Sequence, residues 1–174
     1  MSQASSFDPV ITDGAQVLIL GSMPGLRSLE AQQYYAHPRN AFWPIMAELF
    51  GFDSALPYDE RLRLLQIQRV ALWDVLADCY RPGSLDSAIV ESSIQANDFP
   101  TLLQRYPTLK AICFNGAKAE QSFRKHVRPL LGDSAEEITF QRLPSTSPAH
   151  ASLSYDQKLC QWQVVTGFVT RVVT

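Results

Sequence analysis

The residues best suited to chemistry lie close together in GSMPGLRSLEAQQYYAHPRNAFW, residues 21–43. A turn built on Gly21, Pro24 and Gly25 lets the backbone approach a ligand and aim N–H groups at an anion or a carbonyl. Tyr34 and Tyr35 offer flat aromatic faces; being adjacent, one is expected to face a pocket and the other to pack. Asn40 carries a donor and an acceptor on a single carboxamide. These are the parts that hold a purine or pyrimidine base by stacking and by hydrogen bonds to its edge. Asn40 also has a plainer use, because asparagine is among the best helix N-caps and a helix is expected to begin there. His37, next to Pro38, is expected to hydrogen-bond loop to strand; as a group that titrates near neutral pH it is also a candidate base.

Four apolar segments must position these groups. QVLIL (16–20) and LKAICF (109–114) are continuous apolar runs, as in parallel strands covered on both faces, and VALWDVL (70–76) and ITFQRLP (138–144) read as two more strands. Helices are predicted at NAFWPIMAELFG from Asn40, at YDERLRLLQIQ (58–68), at DFPTLLQRY with Asp98 as N-cap, and at AKAEQSFRKHV. A single C-terminal helix is predicted over SYDQKLCQWQVVTGFVTRVV, where Tyr155, Leu159, Trp162, Val165, Val169 and Val172 form an apolar stripe. The alternation predicts an α/β fold, a three-layer α/β/α arrangement with a mainly parallel four-stranded central sheet. No repeat or linker divides the chain, so residues 1–174 read as one domain, with 1–14 a loosely ordered N-terminal segment. Ligands of such sheets bind beyond the carboxyl ends of the strands. The segments GSMPG, DCYRPGS, NGAKA and STSPAHA, which follow the strands, are therefore expected to converge on one edge.

Composition narrows the possibilities. The 174 residues are 46% hydrophobic and 18% charged, with a formal net charge of −2, so no global basic field advertises a nucleic-acid partner. Local charge decides phosphate contact, and Lys118, Arg124, Lys125 and Arg128 cluster after the third strand with Glu120 the only acid among them. Arg27, Arg39, Arg81 and Arg142 lie in or beside the site loops, which predicts a basic rim. Cys79, Cys113 and Cys160 lack metal-site spacing, and no basic, apolar leader opens the chain, which fits a reducing, cytoplasmic setting without a membrane span. GSMPG is neither a nucleophile elbow nor a dinucleotide fingerprint, NGAK is too short for a Walker loop, and no histidine opens an H-x-E deaminase signature.

The motifs themselves resemble those of the uracil-DNA glycosylase superfamily. GSMPG followed by AHPRNAFW is similar to the G-I-N-P-G turn and A-H-P-x-N-x-F-W segment of the mismatch-specific uracil and thymine glycosylases. LPSTSPAHA resembles the superfamily's second motif, and FNGAKAEQSF its third strand-to-helix turn. The likeness runs from about residue 16 to the C-terminal helix and is greatest to the hypoxanthine-DNA (deoxyinosine) glycosylase branch. Met23 stands where the mismatch branch has the asparagine that positions water, and a thioether cannot do that. In the hypoxanthine branch the resemblance assigns the role to Asn40.

What the resemblance implies is a monofunctional DNA glycosylase, with neither cofactor nor metal, that releases a flipped-out deaminated base from DNA and acts as a monomer. Gly21, Ser22, Met23, Tyr35, Asp74 and Asn115 are the implied base-binding residues. Arg39, Lys118, Ser145, Thr146, Ser147 and His150 are the implied DNA contacts. Asp74 lies near the position at which classical uracil enzymes read uracil with asparagine, so it is either a base reader or a loop anchor. Two other readings remain open: a mismatch uracil or thymine enzyme, and a catalytically silent nucleic-acid or nucleotide-binding module.

Overall fold

The structure is a computed structural model that describes residues 3–170. Its centre is a four-stranded parallel sheet in the order β3-β2-β6-β7, formed by β2 (Val17–Gly21), β3 (Val70–Asp74), β6 (Ala111–Asn115) and β7 (Thr139–Leu143). Every residue of β2, β3 and β6 is buried, which explains their unbroken apolar sequences, whereas β7 lies at the edge and buries only Leu143.

Side chains alternate across this sheet. Leu18, Leu20, Ile112 and Phe114 enter one apolar layer, beneath α4 (Phe99–Arg105), α5 (Ala117–His126) and α6 (Arg128–Leu131). Val17, Ile19, Leu72 and Cys113 enter the other, against α2 (Phe42–Phe50), α3 (Tyr58–Ile67), α7 (Tyr155–Trp162) and α8 (Val164–Gly167). The short α1 (Leu26–Ala31) follows the first turn. The expected three-layer α/β/α class is the one observed. Register sets Gly21 opposite Asp74 and Asn115 opposite Leu143, so the strand ends form one level edge.

Three features differ from the sequence reading. The segment VALWDVL is not one strand: the chain leaves the parallel sheet at Val75 and enters a second, antiparallel sheet, β1-β4-β5, made by β1 (Gln3–Ser5), β4 (Leu76–Tyr80) and β5 (Gln95–Ala96). The N-terminal segment, expected to be loosely ordered, is anchored from residue 3. Gln3–Ser5 pairs with β4, Val10 bridges to Leu72, the Trp73 indole donates to the Phe7 carbonyl at 3.0 Å, and Phe7 meets Tyr34 edge-on at 5.2 Å. The C-terminal helix is broken at Gln163 into α7 and α8, where a β-branched Val-Val-Thr run and Gly167 weaken helical preference. Trp162, Val165 and Val169 are buried as the stripe predicts, and Val172 lies outside the described residues.

Candidate active site

At the level edge, the ends of β2 and β3 bring Gly21 and Asp74 into contact. A Cβ on Gly21 would stand 2.6 Å from Asp74 Oδ1 and 3.3 Å from the Tyr35 hydroxyl, so only glycine leaves room for both. Asp74 is 3% exposed, and its Oδ2 has no hydrogen-bond partner; the Tyr35 hydroxyl has none either. Burial, reinforced by the negative charge of Asp86 and only partly offset by Arg81, pushes the Asp74 carboxyl up to about 7. Burial likewise raises the Tyr35 phenol, with the Asp74 charge adding to it, so Tyr35 stays a donor. Tyr35 has φ 57°, in the left-handed region that an aromatic residue rarely occupies. Such strain persists where surrounding contacts impose it, and it gathers at functional sites.

Those contacts are visible. Tyr34 packs beneath: its N–H donates to the Tyr58 hydroxyl at 2.9 Å, its hydroxyl donates to the Asp8 carbonyl at 2.8 Å, and its carbonyl accepts from the Trp43 indole at 2.9 Å. The Ser28 hydroxyl accepts from the Ala36 amide. Tyr35 is thereby turned the other way, one face stacked on Phe42 with ring centroids 4.0 Å apart. A methyl group at Gly21 fills the space between these groups, so Gly21→Ala is expected to cost about 1–3 kcal/mol of stability by overpacking. Thermal unfolding and base-binding affinity, measured together, check this, since both fall if the two polar groups converge on that space.

Asn40, expected to cap the helix, lies one residue before the N-cap of α2, which is Ala41; it closes the preceding turn and walls an open cavity. Its Oδ1 accepts from the Phe42 amide at 2.9 Å at the start of α2, and its own amide donates to the His37 carbonyl. That bond occupies one lone pair and orients the carboxamide; Nδ2 makes no hydrogen bond among the described residues, and a second Oδ1 lone pair remains. Closing the turn and holding a ligand are therefore compatible uses of this side chain. His37 is a loop tie, its Nδ1 accepting from the Arg39 amide at 3.1 Å. The cavity, of about 380 Å³, is walled by Pro38, Arg39, Asn40, Thr146 and Lys158 among others.

A hydrogen-bonded chain joins the first motif to the last. The Ala41 amide donates to the Thr146 carbonyl at 3.0 Å, and Thr146 exchanges two bonds of 2.9 Å with the Asn115 carboxamide. Asn115, expected to bind a base, is thus a brace between strand end and loop, and it lies beside the Tyr35 hydroxyl. Gly116, at φ 98°, makes the turn that lets Ser145 approach, where a Cβ would come within 3.1 Å of the Ser145 Cβ.

Residues 9–166 match the model of the uracil DNA glycosylase superfamily. The chain belongs to the uracil-DNA glycosylase superfamily. It is 36% identical, over 91% of its length and 95% of the relative's, to a Methanosarcina acetivorans protein named hypoxanthine DNA glycosylase. A Methanosarcina barkeri protein of the same name is 40% identical over 65% of this chain and 71% of that one. The solution NMR structure of an M. acetivorans protein, provisionally described as a uracil DNA glycosylase, superposes with a TM-score of 0.78 at 33% identity, covering 94% of this chain and 96% of that one. By this membership the chain is a DNA glycosylase.

Several residues of this glycosylase serve other ends than the sequence suggests. The Ser22 hydroxyl is taken by Asp86, to which it donates at 2.5 Å, and the Met23 side chain is buried in the apolar layer, as befits a thioether. The amides of Ser22 and Met23 have no acceptor among the described residues and remain for a ligand. Arg81, expected on a basic rim, is 2% exposed and clamps the first turn from behind, donating to the carbonyls of Pro24 at 2.6 Å and Met23 at 3.4 Å. Nothing local in DCYRPGS marks that burial.

The rest of the rim is largely neutralised. Lys118, Lys125 and His126 all meet Glu91, at 2.7, 3.4 and 3.2 Å, and Lys118 with His126 holds that carboxyl down to about 2. Arg124 and Arg142 reach Glu120 at 3.9 and 3.8 Å. Lys118 is therefore part of an ion-pair cluster, not a free cation. Ser147 and His150 shape their own loop: the His150 amide donates to the Ser147 carbonyl, and the His150 ring lies 3.4 Å from the Ser152 hydroxyl. Among the described residues no helix is long and apolar enough to cross a membrane.

Proposed function

We propose that this glycosylase hydrolyses the N-glycosidic bond of a deaminated base, hypoxanthine first, in DNA, leaving an abasic site and the free base. The groups that read the base are the Tyr35 hydroxyl and the Asp74 carboxyl, which close on Gly21 with no room between them for even a methyl group, so the base enters as these side chains part. Deamination replaces an exocyclic amino group, a donor, with a carbonyl, an acceptor. The Tyr35 hydroxyl and a protonated Asp74 carboxyl are donors converging on one spot, and they suit that carbonyl rather than the amino group it replaces. A neutral Asp74 also avoids repelling the negative charge that builds on the departing base, towards which the amides of Ser22 and Met23 are available.

Asn40 supplies position, not basicity, because an amide cannot accept a full proton at neutral pH. Its carboxamide orients a water on C1′ of the sugar. The electron pair of the C1′–N bond leaves with the base, which takes up a proton; the water oxygen becomes the C1′ hydroxyl and its proton passes to solvent. Extruding the nucleotide costs a few kcal/mol, least for a mispaired base, and inosine opposite a pyrimidine other than cytosine meets that condition.

One observation carries this reading. Tyr35 and Asp74 each carry a buried polar atom without a hydrogen-bond partner, Oη and Oδ2, and the two side chains meet at Gly21 through Tyr35 Oη and Asp74 Oδ1, beside the Asn115–Thr146 brace to the Asn40 turn. The names of the two Methanosarcina relatives support hypoxanthine as the base. Duplexes carrying inosine, uracil, xanthine or ethenocytosine test it. Free hypoxanthine released fastest is the expected result. Preferential uracil release makes the protein a mismatch uracil or thymine enzyme, and binding without release of any base makes it a silent module.

A further inference from the structure

The cavity beside Asn40 holds a cation for which the sequence motifs give no role. Lys158, on α7, is only 6% exposed. The one acceptor its Nζ meets is the Ser147 carbonyl, at a long 3.4 Å, and no carboxylate lies within ion-pair distance of it among the described residues. Loss of hydration lowers its hold on the proton. A lysine covered along most of its length, with its end in the wall of an open cavity and a single weak neutral partner, is placed to take up a counter-charge there.

The surroundings fit an anion. The cavity wall contains two cations, Arg39 and Lys158, along with Asn40, Thr146 and Tyr155, and no carboxylate. The acid nearest in bonding is Glu48, which accepts from the Tyr155 hydroxyl at 3.3 Å and lines the neighbouring hollow. Elsewhere on the protein, Lys118, Lys125, Arg124 and Arg142 are matched by Glu91 and Glu120. Among the described residues other cations, such as Arg27 and Lys110, also lack an ion pair but are exposed to solvent, so what sets Lys158 apart is its low exposure in the wall of the cavity that Asn40 lines.

We infer that the Lys158 ammonium binds a phosphodiester group flanking the extruded nucleotide, with Arg39 at the mouth of the same cavity. This rests on the glycosylase reading above and assigns to α7 the contact that registers the sugar against Asn40. Phosphate contacts of this kind position the substrate without reading its sequence.

The test is binding to a duplex that carries a stable tetrahydrofuran abasic analogue, measured across a range of salt. Lys158→Met, which keeps the length of the side chain, is expected to lose roughly tenfold in affinity at low salt. Its dependence of log K on log salt becomes shallower by about 0.9, the value of one phosphate contact; Lys158→Arg retains most of both. Replacing the phosphates around the analogue one at a time by neutral methylphosphonate weakens the wild type at one position, and Lys158→Met is indifferent there.

Additive losses, or a wild type insensitive at every position, overturn the inference. So does a borohydride-trapped adduct with abasic DNA that disappears in Lys158→Met, which would make the lysine a nucleophile. The methylphosphonate series on the wild type decides the matter even if Lys158→Met does not fold. Hypoxanthine release from an inosine duplex is read separately, so failure of the catalytic reading cannot be mistaken for failure of the phosphate contact.

Discussion

Asn40→Ala is expected to slow single-turnover release of hypoxanthine from an inosine duplex by about 10²–10³-fold, the scale of losing one group that positions or polarises in a transition state. The same change removes the turn-closing hydrogen bond from the Phe42 amide ahead of α2 and costs about 1 kcal/mol. Asn40→Ser separates the two effects. A serine hydroxyl can close the same turn, more weakly than asparagine, but it is too short to hold a water over C1′. A melting temperature for Asn40→Ser nearer to wild type than that of Asn40→Ala, with the rate still lost, places the effect on the reaction; a rate restored by serine means that Asn40 only closes the turn before α2.

Asp74 gives the second large effect, through pH. Its carboxyl, raised to about 7, is neutral below that pH and ionised above it. If the neutral form donates to the base, the excision rate falls above pH 7 by about tenfold per unit, so by about 10²-fold at pH 9. Asp74→Asn keeps a donor that does not titrate, and its rate is expected to stay level over that range. Stability follows the same sign. The native state holds a proton that the unfolded chain releases above ~3.9, so stability declines as pH rises from about 4 to 7 and then levels. Asp74→Asn abolishes that decline and is more stable than wild type at pH 8 by roughly 2–4 kcal/mol. A wild-type rate that rises through pH 7, or a variant with the same falling limb, contradicts the assignment.

How far sequence reveals such a site depends on the range of the interaction. The strands β2 and β6 are legible because five consecutive buried residues leave an unbroken apolar run. The small antiparallel sheet is not, because its strands are three, five and two residues long and β4 follows β3 after Val75 alone. The turn of Gly21 and the opposed orientations of Tyr34 and Tyr35 are local and can be read, whereas the start of α2 falls one residue later than Asn40 suggests, at Ala41. The charge balance is not local. Glu91, 27 residues from Lys118 in sequence, neutralises what looks like a basic stripe, and Arg81 is buried by carbonyls 57 and 58 positions away. Lys158 had a signal that was available: it sits three residues after Tyr155 and four before Trp162, on the buried face of its own helix. A lysine on an apolar stripe marks either a misread face or a charge with a purpose.

The central claim is that a base seated against Gly21, Tyr35 and Asp74 presents its sugar to a water held by the Asn40 carboxamide. A structure of the protein on a duplex containing 2′-fluoro-deoxyinosine, which resists hydrolysis, tests it most directly. The account predicts hypoxanthine in that seat, its carbonyl facing Tyr35 Oη and Asp74, with a water between Asn40 and C1′ about 3–3.5 Å from the carbon. Hypoxanthine bound elsewhere, or Asn40 pointing away from C1′ with no water between them, would contradict it.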